Sequence, residues 1–411
     1  MARRDHVVVG LDIGSTKICA VVAEVGEDGT VHITGIGSSP SRGMRKGIVQ
    51  DIELTVESIR KAVEAAEVMT GGQIHAVYTG IAGSHIAMAH SDSVVTLNKQ
   101  EVTEGDVERA VEQARAGVKV DPDRRILHVI PCEFTVDDQD GIRDPIGMSG
   151  TRLKVDVQII TGAATSAQNL IKCVNRAELD VVEIVLQPLA SAEAVLSAEE
   201  REFGVAMVDL GGGTTDLAIF LDGSVRHTKV LPIGGDNVTK DIAYGLKTHP
   251  TEAEKIKVRH GLARVDMAMP DDVLEVPAVG DRPTRTASRK ELAEVIEPRV
   301  DEMFELVRDE IKRAGYEGRL GAGVVITGGT AMLEGMPDAA ERVLNLPARR
   351  GVPSGFEGHK DIVGKPMHAT AVGLVLYACR HGEELAGAGL GHGRRGKRVF
   401  GRMRQWMQEF F

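Results

Sequence analysis

Gly10-Leu11-Asp12-Ile13-Gly14-Ser15-Thr16-Lys17-Ile18 returns far along the chain as Met207-Val208-Asp209-Leu210-Gly211-Gly212-Gly213-Thr214-Thr215-Asp216-Leu217. Both stretches read as strand, Asp, one apolar residue, Gly, small polar residues, returning strand. Two copies suggest two similarly built lobes, each offering one loop. Gly, Ser and Thr let the backbone turn tightly and aim N–H groups into a concavity that suits an anion. Ser15, Thr16, Thr214 and Thr215 add hydroxyl donors, and Lys17 a point charge. Asp12 and Asp209, just before the turns, would repel a phosphate, and make sense with Mg²⁺ and its waters in between. Ordinary β-hairpin turns use the same residue types. The matched pair, with a third glycine pair in Thr327-Gly328-Gly329-Thr330, favours two loops clamping one polyphosphate. Neither loop has P-loop spacing, and no G-x-G-x-x-G opens a helix.

Outward from these loops, Val7–Leu11, 18–25 and 31–36 read as strands. Ile52, Val56, Ile59, Val63 and Ala66 fall on one face of a helix over 52–68, with Asp51 as its N-cap. Residues 84–162 look like an inserted subdomain, with a helix at 103–116, strands at 126–130 and 154–160, and an acidic turn-rich stretch at 137–150. Further on, 166–177 and 191–197 read as helical, 205–210 as a buried strand, and 236–246 and 251–260 as helices. Residues 270–289 are polar and turn-rich. A long helix is predicted over 292–314 despite Pro298, then a short strand at 324–327 and a last compact helix at 369–379. Six of the fifteen residues from Gly382 to Gly396 are Gly, the composition of a flexible linker.

The chain has 411 residues, enough for two lobes, and at 42% hydrophobic it can bury a sizeable core. Its net charge of −11 argues against broad nucleic-acid binding. Six Arg/Lys and one Glu lie between Arg394 and Phe411, so the tail carries about +5 and the rest about −16, which suggests an anionic target for the tail. Cys19, Cys132, Cys173 and Cys379 form no C-x-x-C pair and read as thiols in a reducing compartment. With no signal-peptide pattern and no run of 18 apolar residues, a cytoplasmic protein without a membrane span is expected.

In the last fifteen residues, Val399, Phe400, Met403, Trp406, Met407, Phe410 and Phe411 fall on one helical stripe, while Lys397, Arg398, Arg402, Arg404 and Gln405 fill its flanks and far side. That is the pattern of an interfacial helix, apolar below and cationic at the headgroups. A core helix or a helix for a partner's groove would show the same stripe. The glycine-rich segment before it favours the membrane.

The two hairpin loops, the Ile326-Thr327-Gly328-Gly329-Thr330-Ala331 turn and helices at 187–197 and 370–378 resemble the actin, Hsp70 and sugar-kinase superfamily. Within it, Gly10–Ile18, Gly47-Ile-Val-Gln-Asp51, Val208–Leu217, Leu231-Pro-Ile-Gly-Gly-Asp236, Val325–Met336 and above all the linker and tail are similar to the FtsA family of bacterial cell-division proteins. The resemblance covers essentially the whole chain. It implies an α/β, actin-like fold: two RNase H-like lobes around a nucleotide cleft, with an inserted subdomain and a C-terminal amphipathic helix. The implied division is lobe I at 1–83, 163–197 and 356–381, with an insert at 84–162. Lobe II is at 198–235 and 301–355 with a small subdomain at 236–300. The linker is 382–396 and the membrane-targeting helix 397–411. ATP and Mg²⁺ are the implied cofactors. Asp12, Gly14, Ser15, Thr16 and Lys17 of loop one and Gly211, Gly212, Gly213 and Thr214 of loop two would hold the phosphates. Gly328, Gly329 and Met332 would flank the nucleoside, and Glu254 and Lys257 the ribose. Asp12 and Asp209 would hold Mg²⁺, through water. Asp209, Gln187 and Glu193 are the candidates for orienting an attacking water in slow hydrolysis.

The resemblance further implies self-association into filaments, binding of the C-terminal peptide of the tubulin-like protein FtsZ at 236–300, contacts with later division proteins, and residence on the inner face of the membrane at the division site. A metabolite kinase, an Hsp70-type chaperone, and a pilus or cell-shape relative of actin stay open as alternatives. An Hsp70-type chaperone would need a large domain after Cys379, where about thirty residues remain.

Overall fold

A computed structural model describes residues 6–279 and 283–386. The repeated pattern opens the same five-stranded sheet twice. In the first, His6–Ile13 is central. Lys17–Val25 and Val31–Pro40 follow antiparallel on one side, and Ala76–Ile81 and Asp180–Leu186 lie parallel on the other. In the second, Val205–Leu210 is central, with Thr215–Leu221 and Ser224–Leu231 antiparallel and Val324–Thr327 and Ala348–Arg350 parallel. Val205–Leu210 is buried at all six positions, as expected of a strand covered on both faces.

Helices cover these sheets for reasons visible locally. Asp51 accepts a hydrogen bond from the Leu54 N–H at 3.0 Å and caps Ile52–Thr70. That helix buries Val56, Ile59, Val63 and Ala66 and ends at Gly71 in the left-handed conformation. Gln187–Val195 and Ala369–Ala386 cross between the sheets. A Cβ on Gly373 would lie 1.8 Å from the Ala190 carbonyl oxygen, so only glycine allows this approach. Val21, Val195, Met207, Val325 and Val372 share one core, which therefore runs from lobe to lobe.

Between Ala82 and Ala164 the chain builds a separate four-stranded sheet, ordered Ala87–Thr96, Arg152–Ala163, Arg124–Val136, Gln139–Ile142, with helix Glu104–Ala116. It has its own core around Val95, Val107, Phe134, Leu153 and Val155. It also leans on lobe II. Ser224 Oγ donates to the Cys132 carbonyl at 3.1 Å, Arg226 pairs with Glu133 at 3.5 Å, and Ile86, Ile160, Leu186 and Val230 bury one another.

In lobe II, Gly235–Gly245, Pro250–His260, Arg289–Arg313 and Met336–Leu344 pack together. Pro298 lies inside Arg289–Arg313, where Ile296, Val300, Met303 and Phe304 are buried around it and hold the helix through the lost hydrogen bond. The polar stretch before it holds a hairpin, Val273–Val276 with Arg285–Ser288, that the composition does not show. Leu274, Val276 and Ala287 are its buried side. The last helix reaches Ala386, beyond the start of the glycine-rich stretch at Gly382, since extending an existing helix is far easier than starting one. Cys19, Cys132 and Cys173 are buried and Cys379 partly so, all as free thiols.

Candidate functional site

The two repeated turns have the same geometry. Gly14 N–H donates to the Lys17 carbonyl at 3.0 Å, and Gly211 N–H to the Thr214 carbonyl at 2.9 Å. Asp12 and Asp209 occupy the same place, one residue before the end of each central strand, facing Cys19 and Asp216 across the ladder. The turns meet tip to tip. A Cβ on Gly212 would lie 2.3 Å from Thr16 Cγ2, and one on Gly213 would lie 2.7 Å from Ser15 Oγ. Gly212 and Gly213 therefore leave the room that the Thr16 and Ser15 side chains of loop one occupy.

Beneath the tips lies a buried acidic cluster. Asp12 is pushed up to about 7, chiefly by burial, with Lys17 pulling down and Asp209 pushing up. Burial also raises Asp209, while hydrogen bonds from Ser191 Oγ at 2.7 Å and Thr370 Oγ1 at 3.2 Å work against it. Asp216 stands well above the carboxylate range, through burial and then the neighbouring Asp209. One of its oxygens is 3.4 Å from Thr214 Oγ1, and the other is buried without a partner. Among the described residues, no three His, Cys, Asp or Glu side chains converge to hold a metal ion directly.

The neighbouring segments assemble around loop two. Gly328, at φ 88°, brings its turn so close that a Cβ there would be 2.3 Å from Asp209 Oδ1. Thr330 Oγ1 and Gly235 N–H both donate to the Gly211 carbonyl, at 2.9 and 3.0 Å, and Asp236 N–H donates to that of Gly212 at 2.8 Å. Gly329 opens the short helical turn Thr330–Met332, which leaves Met332 half-exposed. Lys257 is buried and donates to the Gly235 carbonyl at 3.0 Å and to Thr239 Oγ1 at 2.8 Å. It pairs with the half-exposed Glu254 at 2.7 Å.

Two expectations change. Lys17 does not point at the loop tips. Its ammonium donates to the Met367 carbonyl at 2.6 Å and lies 3.2 Å from His368 Nδ1, whose ring burial and then Lys17 keep neutral with a pKa of about 3. Of the two candidates on helix Gln187–Val195, Gln187 Nε2 donates to Asp12 Oδ1 at 3.3 Å, in space left by Gly80. Glu193 does not reach the cluster. Gln187 and Ser191 are one helical turn apart and share a face, whereas Glu193 is turned away into ion pairs with Arg201 and Arg380. Ser191, Thr370 and Asp216 went unnoticed in the sequence. Asp216 stands inside the second copy, but its counterpart in the first is Cys19, so comparing the copies does not flag it. The tail residues Arg398 to Phe411 lie outside the described residues.

The family model described as "Cell division protein FtsA" matches residues 206–373, and that described as "SHS2 domain inserted in FTSA" matches 83–161. The cell division protein FtsA of Pseudomonas aeruginosa is 44% identical over 98% of both chains. The Escherichia coli K12 protein of that name is 45% identical over 90% of both. That of Bacillus subtilis is 39% identical over 92% of this chain and 84% of its own. The chain belongs to the FtsA family. Solved structures place this FtsA-family member among actin-like folds. The PilM-PilN type IV pilus biogenesis complex aligns with a TM-score of 0.65 at 16% identity, covering 90% of this chain and 98% of that one. MreB5 of Spiroplasma citri bound to ADP aligns at 0.57 and 13%, covering 93% and 98%. No helix among the described residues of this FtsA-family chain is long and apolar enough to cross a membrane.

Proposed function

We propose that this cell-division protein binds ATP with Mg²⁺ between its two hairpin loops, self-associates, and tethers FtsZ to the cytoplasmic face of the cell membrane at the division site as a peripheral adaptor. One observation carries the nucleotide reading: two turns of identical hydrogen bonding, from two copies of one sheet, meet tip to tip over buried Asp12 and Asp209. Ser15 and Thr16 on one side and Gly212, Gly213 and Thr214 on the other offer N–H and hydroxyl donors to the phosphates, with Gly14 and Gly211 closing the two turns that present them. Gly328, Gly329 and Met332 border the nucleoside end, with Glu254 beside the ribose and Lys257 bracing the segment that supports loop two. Mg²⁺ would supply charge neutralisation and orientation of the phosphates. It suits Asp12 and Asp209 through its own waters, since it keeps several and asks for one or two carboxylates. The divalent cation, and not the phosphate, suits this cluster, where burial raises three neighbouring carboxyls and a nearby positive charge would favour their ionised forms. Gln187, on Asp12, is placed to orient an attacking water, and slow turnover is the expected activity.

The adaptor role rests on family membership and on the tail. The 236–300 segment is the proposed receiver of the FtsZ C-terminal peptide, and 84–162 of self-association or later division proteins. Each Lys or Arg of 397–411 contributes on the order of 1 kcal/mol at an anionic surface, and its apolar stripe adds a comparable amount per large side chain. Ordering the helix takes much of this back, so one tail binds reversibly and many tails on one polymer bind tightly. The test is co-sedimentation with anionic vesicles, with and without Mg-ATP, for the full chain and a version ending at Gly396. Loss of binding on truncation, with ATP dependence in the full chain, is expected. Both versions staying in solution would remove the membrane role. A metabolite kinase is the remaining alternative, and phosphate transfer to a metabolite panel would reveal it.

A further inference from the structure

The hairpin Met44–Arg45 with Ile48–Val49, between lobe I's third strand and its first long helix, closes against the tips of both candidate phosphate loops. Gly47 N–H donates to Ser15 Oγ of loop one at 2.9 Å. On the other side, a Cβ placed on Gly213 of loop two would lie 3.2 Å from Lys46 Cα. Lys46 thus sits where loop one, loop two and the hairpin meet. It adopts φ 49°, a left-handed conformation that a lysine rarely takes and that concentrates at ligand clamps. Its side chain is exposed and makes no hydrogen bond or ion pair among the described residues.

The two lysines of the site that come from loop one and lobe II are already engaged. Lys17 is held by the Met367 carbonyl and His368, and Lys257 by Gly235, Thr239 and Glu254. A polyphosphate between these loops would approach three buried carboxyls, and no ammonium from loop one faces it. We infer that Lys46 is a phosphate ligand, carried by the hairpin as the third wall of the pocket, and that it selects nucleoside triphosphate over diphosphate. Its four-carbon stem starts beside the tip of loop two and is long enough to bring a point charge to a phosphate held between the loops. The hydroxyl of Ser15 accepts from Gly47, which fixes the hairpin to loop one and leaves the Ser15 O–H free to donate.

This inference rests on the nucleotide reading, and the experiment separates the two. Affinities of the full chain for Mg-ATP and Mg-ADP are compared in wild type, Lys46→Gly and Lys46→Arg, with thermal melts for folding. Glycine suits the left-handed backbone, so Lys46→Gly removes the charge without straining the turn. Lys46→Gly is expected to weaken ATP binding by about tenfold or more, the range of one charge-assisted hydrogen bond, with ADP nearly unchanged. Lys46→Arg is expected to keep the wild-type preference. A wild-type ATP-to-ADP ratio in Lys46→Gly overturns the assignment and leaves the nucleotide site standing, as does an equal loss of both ligands. Wild type without ATP binding overturns both.

Discussion

His128 has its ring in the seam between the inserted sheet and lobe I, where Nε2 accepts from the Leu186 N–H at 3.0 Å. Desolvation, and then His381, lowers its pKa from 6.5 to about 4. The folded form is therefore neutral. As pH falls from 6.5 toward 4 the unfolded chain takes up a proton that the folded one refuses, so stability drops over that window and is regained above it. The stability lost across the whole window is about 3 kcal/mol. His128→Gln keeps an acceptor and loses the titration, so its unfolding free energy should vary less than that of wild type between these limits. Parallel urea-denaturation curves at each pH would dismiss the assignment. At the buried acidic cluster, if the proposed hydrolysis holds, Gln187→Ala should slow ATP turnover roughly 100-fold with little change in ATP affinity, as for loss of a water-orienting group. Glu193→Gln should leave turnover near wild type and lower stability, because it breaks the pairs with Arg201 and Arg380.

Two helices decide how the lobes are joined. Gln187–Val195 brings Gln187 to Asp12 and Ser191 to Asp209, and Ala369–Ala386 brings Thr370 to the same Asp209. They touch at Gly373, beside the Ala190 carbonyl. Gly373→Ala would gain about 1 kcal/mol in helix propensity, but the clash with backbone forces the helices apart at about 1–3 kcal/mol or more. The net effect expected is a lower denaturation midpoint and weaker nucleotide binding. A variant as stable as wild type would show that the crossing has slack. The lobe II hairpin Val273–Val276 with Arg285–Ser288 was hidden because only Leu274, Val276 and Ala287 face inward, too short an alternation among polar residues to stand out.

At the scale of the whole chain, both lobes contribute a loop to the proposed nucleotide site and one core runs through them. A ligand held between them should stabilise the entire fold. Saturating Mg-ATP at 100 times its Kd should add about 2.7 kcal/mol to unfolding and raise Tm by several degrees. An unchanged Tm would contradict a site shared by the lobes. Raised salt should release the full chain from anionic vesicles, since the tail's cations act over about a Debye length of 10 Å at 0.1 M. Salt-independent binding would point to a purely apolar contact.

Local pattern was enough to reveal the repeated strand-turn-strand unit, the glycines at its turns and Asp51 as a cap. Each depends on residues a few positions apart, where backbone sterics and side-chain periodicity act directly. From the repeat followed two lobes with the same sheet. The fine assignment of the site needed the folded chain. Lys17 is drawn to a carbonyl 350 residues away, Ser191 and Thr370 reach Asp209 from helices in distant parts of the chain, and Lys46 meets a loop of the opposite lobe. No periodicity encodes these contacts, because they join segments of separate local pattern, within one lobe or between the two, that meet only when the chain packs around its common core.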